Sequence, residues 1–207
     1  MESELNTIIV GNRKIVPSKI ICVGRNYVEH IRELNNKIPE NMIIFLKPNS
    51  AISNELLSFQ EEPIHYEGEI CFLYEKGKFS AIGFGLDLTK RALQSKLKSK
   101  GFPWERAKAF NGAALFSEFI EIPIISKSLS IELDIEGENI QSGNISQMIY
   151  KPKDILSELL TFMSLNDGDI VMTGTPKGVG IVNKGSFFVG RILENGKILV
   201  TANWLAK

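Results

Sequence analysis

Two glutamates lie two residues apart in the segment IHYEGEIC, which otherwise has the apolar composition of a buried strand. Side chains at positions i and i+2 of a strand point to the same face, so Glu67 and Glu69 are expected to lie side by side. Neighbouring carboxylates repel each other and lose hydration when they are buried. The pair therefore indicates either a solvent-exposed face or a bound cation.

A third carboxylate, Asp87, ends the next predicted strand, directly after the glycines of GFGLDL and before a helix. The ends of strands often carry functional residues. Three carboxylates without a cluster of His and Cys would form an all-oxygen site, which suits Mg²⁺, Mn²⁺ or Ca²⁺ better than zinc. From the residues alone, ordinary surface charge is the alternative explanation and the more common one.

The histidines offer a second kind of chemistry. His30 and Glu33 stand three residues apart in EHIRE, where helical spacing would place them on one face. A carboxylate bonded to an imidazole fixes its tautomer and makes it a better base toward water. The alternative is an exposed helix with a chance His/Glu pair. The other histidine, His65, is expected to have a structural or supporting role.

The glycine-rich segment TGTPKGVG lacks the spacing of the nucleotide-binding motifs GxxxxGK[ST] and GxGxxG, so no nucleotide site is expected there. Its glycines allow backbone N–H groups to approach a small anion, and a plain tight turn is the alternative.

Composition excludes several classes of protein. The 24 basic and 24 acidic residues of this 207-residue chain balance, so no nucleic-acid or anionic-membrane partner is indicated. No apolar run approaches the ~18 residues of a membrane span, and the acidic start MESELNTIIVGNRK does not predict a signal peptide. Cys22 and Cys71 are too few and too far apart for a zinc or CxxC site. We therefore predict a cytoplasmic protein with reduced cysteines.

Strands dominate the predicted elements, and the few helices do not alternate regularly with them, which favours a mixed α+β fold over a doubly wound parallel sheet. HYEGEICFLY is expected to form one strand, and KILVTANW is expected to close the sheet. In LTKRALQSKLKSKG, Thr89 can cap a helix and Gly101 can end it. The other predicted helices lie in NYVEHIREL and KPKDILSELLTFMS, and hairpin turns are expected at GN, EKGK and EG.

The order and spacing of six segments resemble the fumarylacetoacetate hydrolase family, in its smaller acylpyruvate hydrolase and hydroxydienedioate isomerase or decarboxylase form. The resemblance runs from about Ile20 to Arg191 and implies one catalytic domain, residues 1–207, with a lead of residues 1–19 and a mixed, rolled β-sheet in residues 20–207. It rests on CVGRNYVEHIREL, FLKPNSAI, YEGEI, LDLTKRALQ, PWERAKAF and LTFMSLNDGDIVMTGTPKGVG.

The resemblance also implies a role for each candidate residue. A divalent ion, Mg²⁺ or Mn²⁺, would be held by three carboxylates, a His–Glu pair would activate water, and a lysine would meet the negative charge of the substrate. An arginine, a glutamine and a threonine would contact the substrate. In that order the positions are Glu67, Glu69, Asp87, His30, Glu33, Lys108, Arg91, Gln94 and Thr175.

Some positions depart from the family pattern. Ala92 stands where the helix motif usually has Asp, and NGAALF, with Asn111 and Leu115, replaces a stretch that tends toward Asp and Pro. These positions are expected to border the pocket, which leaves the identity of the substrate open.

The activity implied is metal-dependent hydrolysis of a carbon–carbon bond in a small β-diketo acid such as an acylpyruvate, by a homodimer. The alternatives on the same site are decarboxylation of oxaloacetate and isomerisation of a 2-hydroxyhepta-2,4-diene-1,7-dioate, since each passes through a metal-bound enolate; a non-enzymatic binder of oxo acids or metal is the third. The segment of about residues 25–38 is mostly polar and is expected to act as a lid that a bound oxo acid orders.

Overall fold

The computed structural model describes residues 5–34, 37 and 39–207. Within them the helices are α1 (Val28–Glu33), α2 (Arg91–Ser99), α3 (Glu105–Lys108) and α4 (Pro152–Phe162). The strands are β1 (Ile8–Val10), β2 (Arg13–Ile15), β3 (Lys19–Gly24), β4 (Ile43–Pro48), β5 (Phe59–Gln60), β6 (Glu62–Tyr66), β7 (Gly68–Glu75), β8 (Lys78–Asp87), β9 (Thr89–Lys90), β10 (Ala114–Phe116), β11 (Ile120–Glu121), β12 (Leu129–Ile135), β13 (Glu138–Asn144), β14 (Ile170–Met172), β15 (Gly180–Ile181), β16 (Phe187–Glu194) and β17 (Lys197–Leu205).

A seven-stranded sheet forms the centre of the molecule. Its strands follow the order β10-β8-β7-β14-β3-β4, and β11 also pairs with β8. The pair β14–β3 is parallel, and the other pairs of this sheet are antiparallel. The sheet is mixed and the helices do not alternate with the strands, so the predicted α+β fold with a rolled sheet and few helices is confirmed.

A second sheet, in the order β13-β12-β16-β17, packs on the first. Phe84 of β8 lies against Gly190 of β16, where a Cβ atom would collide with the phenyl ring, so glycine is required for this close approach. Phe84 also lies 6.0 Å from the ring of Trp204. KILVTANW was predicted to close the main sheet, and this was wrong: it lies in β17, at the edge of the second sheet, where it pairs with β16.

The segment HYEGEICFLY changes sheets at Glu67 and does not form one strand as predicted. β6 pairs with β5, β9 and β15 in a small sheet, whereas β7 pairs with β8 and β14. Glu67 falls between β6 and β7, and its carbonyl accepts a hydrogen bond from the N–H of Asp87, 2.9 Å away. The N–H of Gly68 bonds to the side chain of Gln141. These two hydrogen bonds stabilise the interruption between β6 and β7, which falls at Glu67, the first of the three acidic residues.

Helix α2 begins differently from the prediction. The predicted cap, Thr89, lies in β9, where it pairs with His65, so its side chain does not cap the helix. The side chain of Glu62 accepts the N–H groups of Ala92 and Leu93, at 3.0 and 3.3 Å. A carboxylate from another element therefore satisfies the helix N-terminus. Gly101 follows the helix with a φ of +68°, as its predicted role at the helix end requires.

The three predicted hairpin turns are confirmed, since they join β1 to β2, β7 to β8 and β12 to β13. Both cysteines are free and buried, as predicted. Among the described helices, none has the length and apolar character needed to cross a membrane.

Candidate metal centre and active site

The three predicted carboxylates come together beneath the surface. Glu69 lies opposite Gly85 in the β7–β8 register, and Asp87 follows Gly85 by two residues, so these two acids share one face of the sheet. Glu67 joins them at the break before β7. One oxygen from each acid lies within 4.8 Å of the others. These residues are 6%, 2% and 1% exposed, so the surface-charge explanation is wrong.

The pKa values of the two glutamates shift in opposite directions because their neighbours differ. Burial alone would raise the pKa of Glu67, but Lys108 and Arg91 hold this pKa well below its ordinary value. Burial and the negative charges of Asp87 and Glu67 raise the pKa of Glu69 well above its ordinary value. The backbone N–H of Gly174 donates to Glu69 Oε2 over 2.6 Å and offsets only part of this cost. A cation at this point would stabilise the charged form of Glu69.

The donor set fits a hard divalent cation. Asp87 Oδ1 is buried and has no hydrogen-bond donor among the described residues, although Lys47 Nζ lies 2.8 Å away in an ion pair without hydrogen-bond geometry. Lys47 therefore compensates the charge of this oxygen in part, but the hydrogen-bonding capacity of the oxygen is unused within the described part of the chain, which leaves room for a further cation. Three carboxylates without sulfur or imidazole ligands suit Mg²⁺ or Mn²⁺. Glu67, Glu69 and Asp87 could therefore hold such an ion.

Two buried lysines approach these acids. Lys108 Nζ donates to Glu67 over 2.7 Å, to Asp87 over 2.8 Å and to Thr89 over 2.6 Å. Burial alone would lower the pKa of Lys108, but Asp87 and Glu67 raise it overall, so this lysine stays charged. Lys47, which the sequence analysis left without a role, is fully buried on β4 and also donates to the Leu88 and Lys108 carbonyls. The sequence already contained an indication of this role, because the segment FLKP places a lysine inside an apolar strand.

Lys47→Met is expected to lower the free energy of unfolding of the metal-free protein by roughly 3 kcal/mol, because removing one partner leaves Asp87 less well compensated in a buried site. Mg²⁺ should restore part of this loss by placing positive charge on the same carboxylate. Urea unfolding with and without Mg²⁺ measures both effects. Lys78→Met, at an exposed position of β8, is the matched control. Equal losses in the two variants would show that Lys47 does not support Asp87.

Arg91 and Gln94 face the acids from α2, as their spacing predicts. Arg91 Nη2 bonds to Glu67 Oε1, and Arg91 Nη1 donates to Gln94 Oε1 over 2.9 Å. Both residues line a pocket that also contains the three carboxylates, Lys108 and His30. The pocket volume is about 40 Å³, enough for roughly three water molecules.

The predicted His–Glu pair is present on α1. His30 Nδ1 lies 3.2 Å from Glu33 Oε2, and the His30 side chain is 7% exposed. Glu33 Oε1 also accepts the backbone N–H of Gly178 over 2.9 Å, so this carboxylate joins α1 to the glycine-rich loop. With Nδ1 donating to Glu33, His30 Nε2 is the nitrogen that can take or deliver a proton.

The glycine-rich loop, residues 173–178, contributes to the site through Gly174 and Thr175. It is therefore more than the plain tight turn that was the alternative. Gly174 has a φ of +97°, and a Cβ atom there would collide with Asn26 and the Val23 carbonyl, so only glycine allows its N–H to reach Glu69. Thr175 is buried, lines the pocket and accepts a hydrogen bond from Gln141 over 2.9 Å. Gln141 thus fixes the hydroxyl that faces the pocket.

The sequence analysis did not name seven further lining residues as site residues: Val23, Gly24, Arg25, Leu34, Phe45, Lys98 and Trp104. The rings of Phe45 and Trp104 lie 5.9 Å apart, and Lys108 Nζ lies 5.1 Å from the Phe45 ring centroid. The spacing of Lys98, seven residues after Arg91 on one helix face, was the available signal.

The positions that depart from the family pattern do not border the pocket as expected. Ala92 and Asn111 are exposed, Leu115 is buried in β10, and none of the three is a lining residue. His65 lies in β6, paired with Thr89 and Ile181, and is not a lining residue. The departures therefore do not change the described pocket wall.

The family profile "Fumarylacetoacetate (FAA) hydrolase C-terminal" matches residues 19–202. The chain belongs to the fumarylacetoacetate hydrolase family. One curated relative is oxaloacetate tautomerase YcgM of Escherichia coli (strain K12), which is 34% identical over 186 residues. The match covers 81% of this chain and 85% of YcgM. Oxaloacetate tautomerase oaa1, mitochondrial, of Schizosaccharomyces pombe (strain 972 / ATCC 24843) is 36% identical over 201 residues, 84% of this chain and 88% of the relative.

A solved structure of the same family extends the comparison. Fumarylpyruvate hydrolase from Pseudomonas aeruginosa, in complex with Mn²⁺ and pyruvate, superposes with a TM-score of 0.88 at 27% identity, over 100% of this chain and 98% of that one. These relatives show that this family member is an enzyme, and the Mn²⁺ of the solved structure agrees with a divalent metal at the carboxylate cluster described above. They do not single out hydrolysis, the main prediction, and the curated relatives favour oxaloacetate chemistry, which was the alternative.

Proposed function

We propose that this protein is a divalent-metal-dependent enzyme that interconverts the keto and enol forms of oxaloacetate or a similar small 2-oxo acid. The observation that carries the proposal is one pocket lined by three buried carboxylates and by His30, whose Nδ1 lies 3.2 Å from Glu33 Oε2. The names of the curated relatives support oxaloacetate as the substrate, and they support this reaction above the predicted carbon–carbon hydrolysis.

The carboxylates and the His30–Glu33 pair have different roles in the proposed reaction. A divalent ion held by Glu67, Glu69 and Asp87, with Mg²⁺ or Mn²⁺ as the proposed identity, would supply Lewis-acid stabilisation of the enolate oxygens. Keto–enol exchange requires one proton to leave or join the carbon beside the carbonyl. His30 Nε2 exchanges that proton, and Glu33 holds the imidazole in the required tautomer.

The remaining polar residues orient the substrate. Lys108 offsets the negative charge that develops on the enolate oxygen, because it is buried and stays charged. Arg91, Gln94 and Thr175 contact the carboxylate next to the carbonyl through N–H and O–H donors. The Phe45 and Trp104 rings exclude bulk water from one wall.

Hydrolysis of an acylpyruvate is the second candidate, supported by the likeness to the fumarylpyruvate hydrolase that holds Mn²⁺ and pyruvate. In that reaction His30 would activate water toward the distal carbonyl, and Lys108 would meet the same enolate charge. Decarboxylation of oxaloacetate yields pyruvate and CO₂ through an equivalent enolate.

One set of assays separates these reactions. The enol form of oxaloacetate is mixed with the protein and Mg²⁺, and its ultraviolet absorbance is followed against the uncatalysed decay, while pyruvate and CO₂ are measured in parallel. Acetylpyruvate is tested for release of acetate. Faster enol decay without CO₂ or acetate supports tautomerisation, whereas stoichiometric CO₂ or acetate assigns decarboxylation or hydrolysis. Inactivity toward both compounds, with and without EDTA, contradicts the proposal.

A homodimer is also proposed. Strand β4 forms one edge of the seven-stranded sheet, and its segment Ile43–Leu46 is partly exposed and apolar. Phe102 and Phe162, 55% and 57% exposed, line the same groove. An unpaired, apolar edge of this kind favours association with another chain. Light scattering at micromolar concentration is expected to give twice the monomer mass, and a monomer would contradict this expectation.

The compartment and the remaining partners stay predictions. Two reduced, buried cysteines agree with a cytoplasmic location, although the curated S. pombe relative is named as mitochondrial. No nucleic-acid partner is proposed, because the charge of the chain is balanced.

A further inference from the structure

Arg25 and Lys98 line the pocket, yet the proposed proton transfer does not use them. Arg91, Gln94 and Lys98 lie at helix positions i, i+3 and i+7, so they follow one face of α2 over a length of about 10 Å. Arg91 marks the inner end of this row through its ion pair with Glu67. Lys98 therefore lies at the other end of this row of side chains, about 10 Å along the helix from Arg91.

The backbone at Arg25 has an unusual conformation. Its φ of +57° lies in the left-handed region, which costs a non-glycine residue about 1 kcal/mol. The next residue, Asn26, is fully buried, and its side chain bonds to the carbonyls of Tyr150 and Thr173 and to the N–H of Tyr150. These bonds hold the chain in the conformation in which Arg25 lines the pocket. Such strain is common at binding sites.

The charges at this end of the pocket favour an anion. Partial burial, and the positive charges of Arg25 and Arg91, lower the pKa of Lys98 below its ordinary value. Neighbouring cations repel one another, and an anion between them relieves that repulsion. The lining residues include four Lys and Arg side chains against three carboxylates.

We propose that Arg25 and Lys98 bind the second carboxylate of a dicarboxylic 2-oxo acid, while its oxo end lies at the three acids. This inference rests on the proposed function and adds the residues that select a dicarboxylic over a monocarboxylic substrate. Trp104 forms the wall beside this subsite, with Lys98 Nζ 5.9 Å from its ring centroid.

The test uses stable ligands in the presence of Mg²⁺. Malate and 2-hydroxybutyrate both offer a hydroxyl and a carboxylate for the inner end, but malate carries a second carboxylate where 2-hydroxybutyrate has a methyl group. Calorimetry on the wild-type protein is expected to give at least about tenfold tighter binding of malate, the range of a charge-assisted contact. Binding of oxalate measures the affinity of the inner end of the pocket, at the three acids, without a contribution from the proposed second-carboxylate subsite.

The variants assign the preference to residues. Lys98→Met and Arg25→Gly should each remove most of the preference for malate and leave the affinity for oxalate within about twofold. Lys98→Arg should retain the preference. Arg25→Gly should fold at least as stably as wild type, since glycine adopts a positive φ without strain. Lys96→Met, on the exposed side of α2, is the control and should keep the preference.

Two results overturn the proposal in different ways. Binding of oxalate together with equal affinities for malate and 2-hydroxybutyrate would remove the second-carboxylate subsite and leave the proposed function intact. Absence of oxalate binding would overturn the proposed function itself, and with it this inference.

Discussion

Replacing Glu69 or Asp87 with alanine is expected to lower metal-dependent turnover by about 10³-fold or more, because a Lewis-acid metal supplies several kcal/mol of transition-state stabilisation. Both side chains are almost fully buried and offer oxygens to the same small volume. Glu67→Ala should have a similar effect on activity. EDTA should inactivate the wild-type protein, and added Mg²⁺ or Mn²⁺ should restore it.

The metal-free stability of these variants separates loss of a ligand from loss of the fold. Glu69 has unfavourable neighbours in Asp87 and Glu67, so Glu69→Gln should leave the metal-free protein as stable as wild type or more stable. Asp87 and Glu67 pair with Lys108, so their removal leaves a buried lysine with fewer partners and should cost stability.

Thermal unfolding with and without Mg²⁺ provides a readout that does not depend on activity. The wild-type melting temperature should rise with Mg²⁺, whereas that of Glu69→Gln should hardly change. Glu118→Gln, at an exposed position, is the matched control and should behave as wild type. Full activity of the wild-type protein after exhaustive chelation would contradict the hypothesis that activity depends on a divalent metal.

His30→Ala is the second change expected to have a large effect. Its turnover should fall by about 10²- to 10⁴-fold, the usual contribution of a positioned general base. Metal affinity should stay nearly unchanged, because His30 is not one of the three carboxylate ligands. Turnover at saturating substrate, together with calorimetric Mg²⁺ binding, measures both quantities.

Glu33→Gln should reduce turnover less than His30→Ala, since a neutral amide can still accept from the imidazole. Glu33 also bonds to the Gly178 N–H, so part of its effect should come from a displaced loop. Glu29→Gln is the control on the same helix, because Glu29 pairs with Arg32 on the exposed side. A His30→Ala enzyme with wild-type turnover would remove the imidazole from the reaction.

The lid hypothesis concerns the same segment and stays a prediction. Asn35, Asn36 and Ile38 lie outside the described residues. In the described part, Asn26, Tyr27 and Ile31 are buried, so this part of the segment is packed against the rest of the protein. Amide hydrogen exchange in α1 should slow when oxalate is added to the Mg²⁺ form, and equal exchange in both states would indicate a fixed wall.

The sequence by itself determined which residues could carry the chemistry. Glu67, Glu69 and Asp87 were identifiable as candidates because carboxylates within apolar strands are costly unless a cation offsets that cost, but only the family resemblance favoured a bound cation over surface charge. His30 and Glu33 were identifiable as a pair because helix geometry makes a spacing of three a contact, but only the family resemblance favoured a catalytic role over a chance pairing. The α+β fold followed from local patterns, namely strand alternation, hairpin turns and irregularly placed helices.

Only the tertiary structure decided how these residues meet. The break at Glu67 depends on hydrogen bonds from Asp87 and to Gln141 across large sequence separations, and no local pattern encodes them. The burial of Lys47 depends on Asp87, 40 residues away along the chain. Arg25 reaches the pocket only because buried Asn26 bonds to residues more than 120 positions later. Such contacts are set by the packing of distant elements, which fixes the distances and the charge balance that local sequence leaves open.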